Sequence, residues 1–302
     1  MNRLDPELLF DLLEAHLPAQ VREHVLVVGS LAAAMTHREQ LRERGVNTKD
    51  CDVIIHPAGA LPEASRLATT LLEAGWRPLA KCKPGVKSDP VSQLSVVRLN
   101  PPTSDAYFIE LLGLPGPTQS DAKVMIPFEA KGAWYALPSF RFMSVLTFER
   151  HSRNSIAYAS ASMMALANLL AHREIGAARV SEPMAGRNPL RAAKDLGRVL
   201  ALARLEVREV TEAWAERWLV ALQTCFPAEW RQLAMQSGDG LRALLNDAAA
   251  LDDALHTVTI GLLDGKNVNV DQLRAIGEQV LADVIEPLQR LTTDSTQPKE
   301  RP

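Results

Sequence analysis

Cysteine is scarce in this 302-residue sequence, which has three: Cys51, Cys82 and Cys225. They are odd in number and far apart, and none has the Cys-x-x-Cys or Cys/His spacing that a zinc site requires. This use of cysteine argues against a zinc centre and favours a reduced, intracellular protein.

Long apolar segments are also lacking. No stretch approaches the roughly 18–20 consecutive apolar residues that span a bilayer. The N-terminal sequence MNRLDPELLFDLLEAH carries acidic residues among its leucines, which is not the pattern of a signal peptide. We therefore expect a cytoplasmic protein with no membrane partner.

The formal net charge is small, −3 from 33 basic and 36 acidic residues, and favours no class of partner by itself. Its distribution is uneven, because residues 141–208 hold 11 Lys and Arg against 5 Asp and Glu. This basic segment is compatible with an RNA partner such as a tRNA acceptor stem, although no RNA-binding motif with interleaved aromatic residues occurs. A hydrophobic fraction of 47% with 23% charged residues indicates a soluble globular chain with a sizeable core.

The apolar pattern predicts an α+β fold in two parts. In residues 1–150, strands alternate with helices and then follow one another, which indicates a mixed β-sheet covered by helices. Residues 151–291 are helical almost throughout, which indicates a C-terminal α-helical bundle. Residues 292–302 form a polar tail that we expect to fray.

Local signals place the elements of both parts. The strands predicted in the first part are Val25–Val28, Asn47–Ile55, Trp76–Ala80, Leu94–Leu99 and Tyr107–Leu112, with a last strand or hairpin from Trp134–Pro138 and Arg141–Phe148. Its helices are one capped by Asp5, one capped by Ser30 and running from Leu31 to about Arg44, and Pro62–Ala74. The helices predicted in the second part are Ser155–Arg173, Pro189–Leu205, Val207–Thr224, Ala228–Met235, Leu241–Leu255 and Val270–Leu291.

The chemistry is concentrated between the first two of these strands. Asp50 and Asp52 occupy alternate positions of one strand, so their carboxylates share a face while Cys51 and Val53 point into the core. Two carboxylates placed in this way favour Mg²⁺, which prefers oxygen ligands and keeps other positions for water and phosphate. Upstream, a strand ending in Gly29-Ser30 leads into a helix whose first-turn N–H groups favour an anion.

The order Val27-Val28-Gly29-Ser30, helix, Asp50-Cys51-Asp52 resembles the nucleotidyltransferase fold superfamily. The resemblance implies that Gly29 and Ser30 hold a triphosphate and that Asp50 and Asp52 hold divalent metal. The superfamily often adds a third carboxylate, for which Glu110 is the candidate because it is an acid within an otherwise apolar strand. The alternative for Glu110 is a place on an exposed strand face.

A second resemblance lies in the helical part. Asn188 to Leu196, followed by further apolar residues, is similar to the Lys-Asp helix of AbiEii-type toxin nucleotidyltransferases. The resemblance implies that Lys194 contacts the triphosphate and that Asp195 is an orienting or basic group; the alternative is a solvated pair on an amphipathic helix. The step of 20 residues from Ser30 to Asp50 is long for the superfamily, so the connecting helix or its loop is expected to be extended.

Together these resemblances imply an Mg²⁺-dependent enzyme that moves a nucleoside monophosphate from an NTP, such as ATP, to an acceptor hydroxyl. The acceptor is left open between an RNA end, a protein and a small molecule, and the site is expected between the two parts of the chain. The alternative is a non-catalytic nucleotide-binding or regulatory module, working with a cognate antitoxin or another operon-encoded partner protein. His56 is expected to be structural or on the surface, and Arg98 to be solvated or to reach a phosphate.

Overall fold

The computed structural model describes residues 3–41, 45–180 and 183–295. The described chain divides into two compact units, Met1–Ser160 and Ala161–Pro302. The first contains strands and helices and the second is helical. None of the described helices is both long enough and apolar enough to cross a bilayer.

The first unit is built on a mixed sheet, as the sequence predicts. Its described strands are β1 (Val25–Val28), β2 (Asp50–Ile55), β3 (Arg77–Pro78), β4 (Arg98–Asn100), β5 (Phe108–Gly113), β6 (Lys123–Ala130), β7 (Ala133–Phe140), β8 (Arg150–Arg153) and β9 (Ile156–Ala159). Its described α-helices are α1 (Pro6–His16), α2 (Ala19–Arg22), α3 (Gly29–Thr36) and α4 (Leu61–Glu73), and short 3₁₀ turns cover Val91–Gln93 and Arg141–Thr147.

The strand order is β3-β4-β5-β2-β1-β9-β8, and β7, paired with β6, joins the sheet beside the end of β5. Strand β2 runs antiparallel to β1 and parallel to β5. Both neighbours of β2 are largely buried, because β1 is a continuous apolar run and β5 is apolar except for Glu110. The centre of the sheet is therefore the place where a charged side chain most needs a partner.

Helix α1 forms for the reasons that the sequence suggests. The Asp5 carboxylate accepts a hydrogen bond from the Glu7 N–H at 2.9 Å, and Pro6 occupies the first turn. Leu9 and Leu13 lie one turn apart and are buried. The cap and the apolar stripe thus define the same helix.

The second helix is shorter than predicted. Helix α3 begins at Gly29 rather than after Ser30, so Ser30 lies inside the first turn and is not the cap. The helix ends at Thr36, and the predicted end at Arg44 lies outside the described residues. The long step to Asp50 is accordingly made by a connection after a short helix.

Two strand assignments also differ from the sequence prediction. Ser155 does not cap a helix, since Ile156–Ala159 forms β9 in parallel with β1 and the next helix starts at residue 161. The sheet therefore extends the first unit beyond residue 150. Instead of a hairpin from Trp134–Pro138 and Arg141–Phe148, the chain forms the hairpin β6–β7, turned by Lys131 and Gly132, both with positive φ, a turn of the two-residue hairpin kind. The next hairpin is β8–β9.

The second unit consists of short helices around one central helix. Its described α-helices are α5 (Ala161–Ile175), α6 (Arg191–Leu205), α7 (Arg208–Glu212), α8 (Trp214–Cys225), α9 (Trp230–Gln236), α10 (Asp239–Asn246), α11 (Ala248–Ile260), α12 (Val270–Val280) and α13 (Glu286–Asp294), with a π-helical segment, Leu281–Ile285, between the last two. Helix α6 packs against α5, α10, α11 and α12. The predicted helix from Leu241 to Leu255 is two helices, because Asp247 caps the second by accepting from Ala249 and Ala250.

Candidate functional site

Asp52 lies where β1 ends and α3 begins. It pairs with Val28 across the antiparallel β1–β2 ladder, directly before Gly29. Gly29 has a φ of +74°, and a Cβ atom on it would lie 3.0 Å from Asp52 Oδ2. Glycine is required here by the backbone conformation and by the carboxylate beside it, so the Asp52 side chain lies against the first turn of α3.

Asp50 lies two residues earlier on the same face of β2. It is exposed, and the Thr48 hydroxyl donates to its Oδ1 at 2.6 Å. Cys51 and Val53 are buried between and beyond the two acids, as predicted. Burial raises the pKa of the Cys51 thiol well above its usual value, and the nearby Asp52 and Asp50 carboxylates raise it further. Cys51 is thus a core thiol.

Glu110 lies beside Asp52 on the neighbouring strand. The parallel β2–β5 register pairs Asp52 with Glu110, so the two carboxylates project from the same face of strands about 4.8 Å apart. The Glu110 side chain is only 15% exposed, which rules out the alternative of an exposed strand face. The sequence therefore pointed to the acid that adjoins the Asp pair.

Arg98 supplies a partner for this partly buried acid. It pairs with Glu110 across the antiparallel β4–β5 ladder, and its Nε donates to Glu110 Oε2 at 2.6 Å. The guanidinium carbon also lies 5.6 Å from the centre of the Phe108 ring, a cation–π contact. Asp52, Glu110 and Arg98 thus stand side by side on three adjacent strands, and we call these three residues the charged row.

A second buried cysteine, Cys82, lies in the first unit. Burial raises the pKa of its thiol, while Arg98 and Lys81 lower it and Glu110 raises it. Cys82 is thus a core thiol, as Cys51 is. The charged row itself runs from the acid Asp52 on β2 to the base Arg98 on β4.

The donor set is suited to Mg²⁺ at the Asp pair. Asp50 and Asp52 offer carboxylate oxygens from one strand face, and Mg²⁺ sites commonly use one or two carboxylates together with substrate phosphates. Within residues 3–41, 45–180 and 183–295, no cluster of three or more His, Cys, Asp or Glu side chains is arranged to hold a metal ion. Glu110 is bound to Arg98 instead, so it serves a metal only if that ion pair opens.

Lys194 and Asp195 belong to α6 of the second unit. Asp195 is not the solvated residue of the alternative interpretation, because it is only 6% exposed. Burial raises the pKa of its carboxyl group, and Arg198, Arg191, Lys194 and His172 oppose that shift. Asp195 is a buried acid among bases on the central helix.

His56 lies at the other end of β2 from Asp50. Burial lowers the pKa of its imidazole to about 4, and Arg150 and His24 lower it further. Its carbonyl oxygen lies 2.9 Å from His24 Nδ1. His56 is therefore a structural residue, as expected, and takes no part in the charged row.

Two contributors were not identified from sequence: the Thr48 hydroxyl, and Arg98 as the partner of Glu110. A signal for Arg98 existed, because an acid in an apolar strand needs a cation on a neighbouring strand, and Arg98 is the base in the strand predicted before it. No comparable local pattern marked the Thr48 hydroxyl.

Comparison of the chain with protein-family models, curated proteins and solved structures finds no match.

Proposed function

We propose that the first unit is the catalytic part of an Mg²⁺-dependent nucleotidyltransferase, which moves a nucleoside monophosphate from an NTP to an acceptor hydroxyl. The observation that carries the proposal is the position of Asp52, against Gly29 at the start of α3 and beside Glu110 on β5. Carboxylates next to the N–H groups of a helix start can hold a metal-bound polyphosphate between them.

Each residue has a role in that reaction. Asp50 and Asp52 would hold the ion, with the Thr48 hydroxyl orienting Asp50. When bound, Mg²⁺ would neutralise negative charge on the phosphate oxygens. Gly29 leaves room beside Asp52 that a side chain would fill, and the first-turn N–H groups of α3 are suited to phosphate oxygens.

The acceptor oxygen attacks the α-phosphorus, and the bond to the leaving pyrophosphate breaks. The proton of the hydroxyl passes to a carboxylate of the site or to solvent. Glu110, once it is released from Arg98, either accepts this proton or completes the carboxylates that would hold the metal. For Lys194 and Asp195, which belong to the second unit, phosphate contact and an orienting or basic role rest on the resemblance alone.

The test is label transfer from each NTP to total cellular RNA, to total protein and to small hydroxyl compounds. Asp52→Asn should abolish transfer while the circular dichroism spectrum is unchanged, since the amide cannot replace the carboxylate as a metal ligand. Asp105→Asn is the matched control, because Asp105 is an exposed acid of the same unit that pairs with Arg77. Full transfer by Asp52→Asn would refute the proposal.

A second candidate is a nucleotide-binding module without transfer. The ion pair between Glu110 and Arg98 favours it, because a site with only two available carboxylates binds metal less tightly. Thermal shifts with each NTP, with and without Mg²⁺, measure binding alone. Metal-dependent stabilisation without label transfer to any acceptor supports this second candidate and directs the search to an antitoxin or other partner protein.

A further inference from the structure

We propose that Arg98 is the phosphate-binding residue of this site and that Glu110 is its resting counter-ion. Nucleotide phosphate displaces Glu110 from Arg98, and the released carboxylate joins Asp50 and Asp52 at the metal. This inference rests on the proposed function and adds an obligatory exchange of ion-pair partners to it.

The charged row supplies the geometry. Glu110 stands between Asp52 on one side and Arg98 on the other, in register with both. Its carboxylate is within 2.6 Å of Arg98 Nε, and it projects from the same face as Asp52. The exchange that we propose is a rotation of the Glu110 side chain within this row, from the guanidinium toward the Asp pair.

The partial burial of Glu110 and Arg98 explains why metal binding by one and phosphate binding by the other are coupled. The Glu110 side chain is 15% exposed and the Arg98 side chain 30%. Removing one partner from such a pair leaves the other poorly solvated and costs stability. A metal that binds Glu110 takes away the carboxylate that Arg98 contacts, and a phosphate that binds Arg98 takes away the guanidinium that Glu110 contacts. Metal and nucleotide should therefore each promote the binding of the other.

One neighbour keeps Arg98 in place when the pair opens. The centre of the Phe108 ring lies 5.6 Å from the guanidinium carbon, and this contact does not need Glu110. An arginine fork is also better matched to phosphate oxygens than to a single carboxylate oxygen.

Reciprocal substitutions give effects of opposite sign. Arg98→Met releases Glu110, so Mn²⁺ alone, measured by the loss of its free electron paramagnetic resonance signal, should bind roughly fivefold more tightly. The same variant should bind metal-free ATP about tenfold more weakly, since a charge-assisted hydrogen bond to phosphate is lost. Glu110→Gln should have the opposite effects: it should bind Mn²⁺ more weakly and metal-free ATP more tightly than the wild-type protein.

The matched control is Arg77→Met. Arg77 lies on β3 of the same sheet and pairs with the exposed Asp105 at 2.9 Å. Its substitution therefore removes an equal positive charge without changing a residue of the charged row. Neither Mn²⁺ nor ATP binding should change by more than twofold. Thermal unfolding of every variant checks the fold, and Glu110→Gln carries the test if Arg98→Met does not fold.

The outcomes separate the two proposals. If wild-type protein binds Mn²⁺ and ATP and Asp52→Asn abolishes the binding of Mn²⁺, the proposed site is supported. If Arg98→Met then behaves as Arg77→Met does, or weakens the binding of both Mn²⁺ and ATP, the proposed exchange is overturned. The proposed metal and nucleotide site is still supported in that case. If folded wild-type protein binds neither Mn²⁺ nor any NTP, both proposals are overturned.

Discussion

Gly29 meets two requirements at one position. Its φ of +74° is in the left-handed region, and a Cβ atom would lie 3.0 Å from Asp52 Oδ2. Gly59 has nearly the same φ, +78°, but nothing lies within 4 Å of its Cβ position. Substitution of these two glycines therefore distinguishes two effects. Both substitutions strain the backbone, and only the one at Gly29 also brings a side chain against Asp52.

Gly29→Ala should lower the free energy of unfolding by about 1–2 kcal/mol, because alanine is strained in the left-handed conformation. The displacement of Asp52 by the new Cβ atom should lower it further. Gly59→Ala should show the backbone cost alone. Denaturant unfolding and Mn²⁺ binding measure both effects, and only Gly29→Ala should weaken Mn²⁺. Equal losses of stability in the two variants, with unchanged Mn²⁺ binding, would show that Asp52 does not lie against Gly29.

His56 gives a pH dependence of known sign. Burial lowers the pKa of its imidazole from 6.5 to about 4, so the folded state resists a proton that the unfolded chain accepts. The stability contributed by neutral His56 is complete above pH 6.5 and is lost as the pH falls toward 4.

Nuclear magnetic resonance titration of the His56 ring should give a midpoint near 4 in the native protein. His56→Gln should make the free energy of unfolding less dependent on pH between 6.5 and 4. A midpoint near the ordinary value of 6.5 would contradict the burial on which this prediction depends.

At the scale of elements, helix α6 combines packing with a buried charge. It contacts α5, α10, α11 and α12, and a Cβ atom on its Gly197 would lie 3.2 Å from the Ala254 carbonyl oxygen of α11. Asp195 is on this central helix, and burial raises the pKa of its carboxyl group despite four surrounding bases. The ionised form therefore costs stability at neutral pH.

Asp195→Asn should raise the melting temperature at pH 7, and the gain should shrink as the pH falls toward the unfolded carboxyl pKa of 3.8. If Asp195 also serves the reaction, as its resemblance implies, the stabilised variant should lose label transfer. Asp271→Asn, at an exposed position in the first turn of α12, is the control and should not stabilise. A lower melting temperature in Asp195→Asn would contradict the desolvation argument.

At the scale of the whole molecule, the chain has two compact units, each with buried apolar residues. Such units commonly unfold as separate cooperative transitions. Each has a sensitive local feature: Gly29 in the first, and in the second the capping box of α12, formed by Asn269 and Gln272.

Calorimetry should resolve two transitions. Gly29→Ala should lower the midpoint temperature of only one transition. Asn269→Ala should lower the midpoint temperature of only the other, because it removes about 1 kcal/mol of helix-capping free energy. The two variants therefore assign each transition to a unit. A single transition lowered by both variants would show that the units unfold as one.

Several elements could be predicted because their signals are local. Strand Val25–Val28 is a continuous apolar run rich in β-branched residues, and Asp5 and Pro6 mark the start of α1. Strand β9 was not predicted, because Ile156–Ala159 continues without a break into the apolar helix that follows it. Its strand character comes from pairing with β8 in a hairpin and with β1, more than a hundred residues earlier in the sequence.

The alternation of Asp50, Cys51, Asp52 and Val53 by itself determined that two carboxylates share a face and that the residues between them are buried, because side chains of a strand alternate. The apolar surroundings of Glu110 determined that this acid needs a partner. Only the tertiary structure decided which partner it has. The β4–β5 register sets Arg98 opposite Glu110, and the β2–β5 register sets Glu110 beside Asp52; register between strands distant in sequence depends on packing of the whole sheet, which no local pattern contains.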